Sequence, residues 1–98
     1  MTDEISITVK LATALARHTG NQKVVDCRLT GNQNLSSVIQ HLDSRFPGIR
    51  AMILADGSDI LDSINVYANG DNVRYLQGLE TLMKQGDVIN IIPAAAAG

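Results

Sequence analysis

Residues 86–98 read GDVINIIPAAAAG, and the fold turns on the segment from Val88 to Ile92. A strand with one wet face alternates apolar with polar residues. "VINII" is interrupted only by Asn90, the pattern of a strand lying inside a sheet rather than at its edge. Gly86-Asp87 belongs to a tight turn that leads into it. Pro93 has no N–H to give to a ladder, so the sheet is expected to end there. After it come Ala94, Ala95, Ala96, Ala97 and Gly98, uncharged except for the terminal carboxylate. A segment this short cannot nucleate a helix after a proline. Extended, Pro93 to Gly98 reaches roughly 20 Å.

Before it in the chain, "INVYANGDNVRYL" (64–76) sets Asn69-Gly70 between two β-prone runs, a hairpin pattern. At the other end, "ISITVKL" (5–11) alternates Ile5, Ile7, Val9 and Leu11 against Ser6, Thr8 and Lys10. "ATALARHTG" (12–20) is a short helix-prone connection closed by Gly20. "KVVDCRL" (23–29) again alternates, with Val25, Cys27 and Leu29 facing one way and Asp26 and Arg28 the other. It predicts a second strand antiparallel to the first. In "NLSSVIQHLDSRFPG" (34–48) the period changes: Leu35, Val38, Ile39, Leu42 and Phe46 form a helical stripe, with Asn34 as N-cap and Pro47-Gly48 as the stop. A shorter helical turn over "IRAMIL" (49–54) precedes the polar loop "ADGSD" (55–59). The order strand, strand, long helix, hairpin and central strand predicts an α+β fold. It is that of a β-grasp (ubiquitin-like) roll, a mixed sheet of 4–5 strands packed on one main helix. The domain is expected over residues 1–93, with 94–98 as a flexible tail.

Composition removes several classes of function. Ninety-eight residues suffice for one core. Aromatic residues make up 3%, namely Phe46, Tyr67 and Tyr75, and the net charge is −2. Neither stacking platforms nor a basic footprint is present, so no nucleic acid is expected as partner. No apolar run approaches the roughly 20 residues that span a bilayer, and "MTDEISITVK" carries acids where a secretory signal carries Lys or Arg. No membrane association is expected. Cys27 is the lone cysteine, which excludes an internal disulfide and fits a cytoplasmic location. It reads as a small buried hydrophobe. His18 and His41 have no ligand at metal-binding spacing and read as solvated. "ADGSD" lacks the remaining ligands of a calcium loop. Asp56, Asp59 and Asp62 belong to no pattern that encloses paired acids. The chain reads as a non-catalytic partner rather than an enzyme, with no bound cofactor or metal.

One resemblance covers nearly the whole chain. "INVYANGDNVRYLQGLETLMKQGDVINIIPAAAAG" resembles the MoaD/ThiS-type sulfur carriers, ubiquitin-like proteins that include the small subunit of molybdopterin synthase. The family reads there as a "VNG" hairpin, an "R(F/Y)L.GL.T.L" run, a "GD.V.I.P" strand and a small-residue end. The first half agrees in layout, with a strand into "LA", a Thr-Gly turn and a helix ending at "RFPG". The resemblance implies covalent carriage of sulfur. A ubiquitin-activating-type adenylyltransferase spends ATP to adenylate the terminal carboxylate, a sulfur donor enzyme converts it to a thiocarboxylate, and an acceptor enzyme receives the sulfur. Gly98 matches the reactive terminal glycine, and Ala94, Ala95, Ala96 and Ala97 its slim lead. Glycine leaves the carbonyl unobstructed by a Cβ. The family usually ends in two glycines, so Ala97 departs from it by one methyl.

The resemblance also implies an apolar partner-binding patch near the tail root. Leu11 and Ile92 match its positions, and both equally suit ordinary core sites. Arg74 lies in a family-like run and reads as an exposed strand residue with no special role. The leading expectation is the small subunit of molybdopterin synthase, its tail inserted into the large subunit. Sulfur supply for cysteine, thiamin or tRNA thiolation, a ubiquitin-like protein modifier, and a non-covalent β-grasp binding module stay open. Fold alone does not separate them.

Overall fold

The structure, a computed structural model, describes residues 4–31, 33–55 and 59–94. Strand β1 (Ile5–Leu11) runs into a one-turn helix α1 (Thr13–Ala16) and then a 3-10 turn, Arg17–Thr19. Strand β2 (Val24–Leu29), the long helix α2 (Leu35–Arg45) and the short α3 (Ile49–Ile53) follow. Next come β3 (Leu54–Ala55), β4 (Asp59–Ile60), β5 (Ile64–Ala68) and β6 (Asp71–Asn72). Further 3-10 turns, Val73–Tyr75 and Gly78–Glu80, lead to β7 (Val88–Pro93).

The main sheet has five strands in the order β2-β1-β7-β5-β6, and β3 pairs with β4 apart from it. The apolar run in β7 is thus explained: it lies between β1, parallel to it, and β5, antiparallel. β1 and β2 pair antiparallel, with Val9 opposite Val25 and Ile7 opposite Cys27. The architecture is the expected β-grasp roll on one main helix. Ile7, Val9, Leu11, Val25, Cys27, Leu29, Val66, Ile89 and Ile91 turn inward from the sheet. Leu35, Val38, Ile39 and Leu42 meet them from α2, all fully buried. Burying one such side chain contributes about 1.5–3 kcal/mol, so the stripe on α2 is what holds the helix to the sheet.

Local chemistry sets the ends of α2. The Asn34 side chain accepts a hydrogen bond from the Ser37 N–H at 2.9 Å, the expected N-cap. At the far end Asp43 Oδ1 accepts the N–H groups of Gly48 (3.1 Å) and Arg50 (3.0 Å), joining α2 to α3. Gly48 has φ +101°, a value that disfavours any side chain. Arg45 reaches from the same helix end to the exposed edge of the sheet, donating from Nη1 to the Asp26 carbonyl at 2.7 Å. β2 is an edge strand, and this contact occupies a carbonyl that another chain could otherwise pair with.

Two expectations need correction. Asn69 (φ 53°) and Gly70 (φ 91°) do make the turn between β5 and β6, but β6 is two residues long. The Asn72 side chain accepts from the Arg74 N–H at 2.9 Å, and the chain bends into a 3-10 turn instead of continuing the ladder. A local side-chain cap has outcompeted strand pairing. The second concerns Pro93. It is the last residue of β7, opposite Ile64, so the strand ends there as expected, but the Ala94 N–H still donates to the Ser63 carbonyl at 2.8 Å. The sheet therefore runs one bond past the proline, on the β5 side.

Candidate functional site

The candidate site is the point where the chain leaves the sheet. Pairing between β1 and β7 ends at Leu11 and Ile91, and the Ala12 N–H donates to the Ile91 carbonyl at 3.1 Å. Beyond that, the described pairing of β7 is with β5 alone, Asn65 opposite Ile92 and Ile64 opposite Pro93. Ala94 is the last described residue. Ala95, Ala96, Ala97 and Gly98, the lead and reactive end expected from the sequence, lie outside the described residues. So do Asp56 and the centre of the ADGSD loop.

The two patch candidates separate. Leu11 is 4% exposed and sits in the core with Val9 and Ile7, so in this structure it offers no surface to a partner. The alternation of β1 had already placed it there, since Leu11 continues the series Ile5, Ile7, Val9. Ile92 lies on the opposite face of the sheet and is 37% exposed. Other large apolar side chains in the open include Tyr75, Leu76 and Leu82.

Arg74 is not a strand residue. It lies in the 3-10 turn after β6, and its side chain folds back toward the tail root. Nη2 donates to the Leu61 carbonyl at 2.7 Å. Nη1 lies 3.0 Å from the Ile64 carbonyl and 2.9 Å from Asn65 Oδ1. Sequence reading missed this arrangement because two of the acceptors are backbone carbonyls, which carry no residue signature. At the other end of β7, Asn69 Oδ1 accepts the Val88 N–H and its Nδ2 donates to Asp87, both at 2.9 Å. The hairpin turn and the Gly86-Asp87 turn are thereby tied together, which fixes the start of the strand that carries the tail.

The other groups with possible chemistry are elsewhere. His18 is exposed, and His41 is partly buried beside Arg28, Ser37 and Gln40 in an open groove between β2 and α2. Among the described residues no cluster of three or more His, Cys, Asp or Glu side chains could hold a metal ion. No helix there is long and apolar enough to cross a membrane. Cys27 is fully buried, and desolvation pushes its thiol from 9.0 up to about 11; Arg45 lowers it and Asp26 raises it by smaller amounts. Such a thiol is a poor nucleophile at neutral pH.

A pH effect follows from that shift. Below pH 9.0 the thiol is protonated in both states, and its contribution to stability is complete. Between 9.0 and about 11 the unfolded chain releases the proton and the folded chain holds it, so stability falls with rising pH. The loss is expected to total about 3 kcal/mol once the pH has passed the folded value. Denaturant midpoints of the parent and Cys27→Ala between pH 8 and 11 measure it, the alkaline decline being steeper in the parent.

The model of the ThiS family matches residues 9–98. The chain belongs to the ThiS family. It is 33% identical over 96 residues to the sulfur carrier protein CysO of Mycobacterium tuberculosis, covering 96% of this chain and 100% of the relative. It is 27% identical to small archaeal modifier protein 3 of Haloferax volcanii, over 87% of this chain and 91% of that one. Among solved structures, one from the Amycolatopsis orientalis BexX/CysO complex aligns with a TM-score of 0.82 and 36% identity, covering 94% of this chain and 99% of that one. The MoaD/ThiS-type resemblance and the ubiquitin-like fold are both borne out.

Proposed function

We propose that this ThiS-family chain is a sulfur carrier whose C-terminal Gly98 is adenylated by a ubiquitin-activating-type partner and then converted to a thiocarboxylate. The observation that carries the reading is the exit of the chain: a central strand held on both sides from Val88 to Ile91, and by β5 alone at Ile92 and Pro93, leads the backbone out toward the slim segment Ala95 to Gly98. A rigid base with a slim end suits a group that a partner's confined site must receive. The chain supplies the reacting carbonyl and the partner supplies the electrostatics that stabilise the transition state. ATP belongs to that partner, and no cofactor is required of this chain.

As acceptor we favour a cysteine precursor over the molybdopterin pathway. The support is the likeness to CysO-type carriers at about a third identity across full length. The molybdopterin synthase small subunit is the second reading, and protein modification the third, supported by the archaeal modifier relative. Intact-mass measurement of the chain isolated from its host tests the proposal. Replacement of one oxygen by sulfur at Gly98 is expected. Chains found only joined to other proteins would favour the modifier, and a permanently unmodified terminus would defeat the carrier.

A further inference from the structure

We propose that Arg74 is a positioning residue for the reactive end, setting the direction in which the tail leaves the sheet by holding the turn that holds Ala94. The part of this inference that concerns activity rests on the carrier reading above. The geometry is independent of it.

Ala94 is tied to the domain by its N–H on the Ser63 carbonyl. Ser63 lies in a tight turn between Leu61 and Ile64, closed by the Ile64 N–H on the Leu61 carbonyl at 3.0 Å. The Arg74 guanidinium binds the carbonyls on either side of Ser63, Leu61 by Nη2 and Ile64 by Nη1. Its Nη1 also meets Asn65 Oδ1, which Asn72 Nδ2 approaches to 3.4 Å. A planar fork can span these acceptors at once, whereas an ammonium acts as a single point.

The strand pattern explains why an arginine is needed there. β6 pairs with β5 only at Tyr67–Asn72 and Ala68–Asp71, leaving the earlier part of β5 without that neighbour. The Ile64 carbonyl falls in this uncovered stretch, and Arg74 takes the place of the missing strand. Its acceptors are neutral oxygens, so the bonds are charge-assisted without pairing away the charge. On the opposite flank β7 has already lost β1, whose pairing stops at Ile91. The root of the tail is thus braced from the β5 side, and Arg74 braces that brace.

The test combines Arg74→Ala, Arg74→Lys and Ala94→Pro, the last removing the donor itself. Amide exchange at Ala94, followed by NMR, is expected to quicken about tenfold in Arg74→Ala, with the amides of Val25 in β2 and Ile39 in α2 unchanged. In adenylation by the host's activating enzyme, kcat is expected to fall about tenfold with KM for the carrier within about twofold, because the end is misdirected and the docking faces are intact. Arg74→Lys should recover part of the loss. On the Ala94→Pro background Arg74→Ala should cost nothing further, since both act through one bond.

Unchanged exchange at Ala94 would overturn the proposal, as would equal acceleration at Val25 and Ile39. A full second tenfold loss in the double variant would overturn the route through Ser63. If no host enzyme adenylates the parent, the carrier reading fails, and exchange at Ala94 alone then decides the role of Arg74.

Discussion

Deleting Gly98 is expected to abolish ATP-dependent activation of the chain, lowering its rate at least about a hundredfold, while the thermal midpoint stays where it was. The shortened chain ends at Ala97, so the carboxylate is retained but retreats by about 3.5 Å and gains a methyl beside the reacting carbon. A reacting group displaced by that distance no longer meets the ATP phosphorus in line. Stability is spared because the buried core residues named above all precede Ala94. Pyrophosphate exchange with the activating enzyme measures the first effect and a melting curve the second. Ala97→Gly is the companion variant. It restores the family's usual ending and is expected to react at least as well as the parent. Slower adenylation in that variant would show that the methyl of Ala97 is not an obstruction.

Much of this was legible from residue patterns because the relevant forces are periodic. The alternation in β1 and β2 and the stripe on α2 each report which side of an element meets the core, and Val9, Cys27, Ile39 and Leu42 are all buried as read. The nearly continuous apolar character of "VINII", broken only by Asn90, located the central strand, since both flanks of such a strand are paired. What escaped was set by single hydrogen bonds. Asn72 could have continued a hairpin but caps a 3-10 turn, and Arg74, free to point into solvent, turns back onto backbone carbonyls. No periodicity reports such choices. Leu11 shows the opposite failure. The family pattern suggested a surface role, whereas its own alternation with Val9 placed it inside.

The contrast between two adjacent residues of the central strand gives the largest stability effect. Ile91→Ala is expected to destabilise the domain by about 3–4 kcal/mol, and Ile92→Ala by less than about 1 kcal/mol. Ile91 is fully buried, paired with Leu11 on one side and Val66 on the other, so truncation leaves a cavity walled by strands that cannot collapse together. Ile92 faces outward and is 37% exposed, so its lost methyl groups are partly wet already. Against a total of about 5–15 kcal/mol for a domain of this class, the first change is a large fraction. It should lower the melting temperature by roughly 15 °C or more. Urea unfolding should show a reduced midpoint at unchanged slope, since the surface exposed on unfolding is nearly the same. Function divides the pair the other way. Below its melting transition Ile91→Ala keeps the backbone bond from the Ala12 N–H to its own carbonyl and the Ser63–Ala94 bond, so the tail root remains aimed. Its kcat for activation should stay near that of the parent. Ile92, exposed beside the last pairing with β5, is the residue whose loss should raise KM if partners dock against this face.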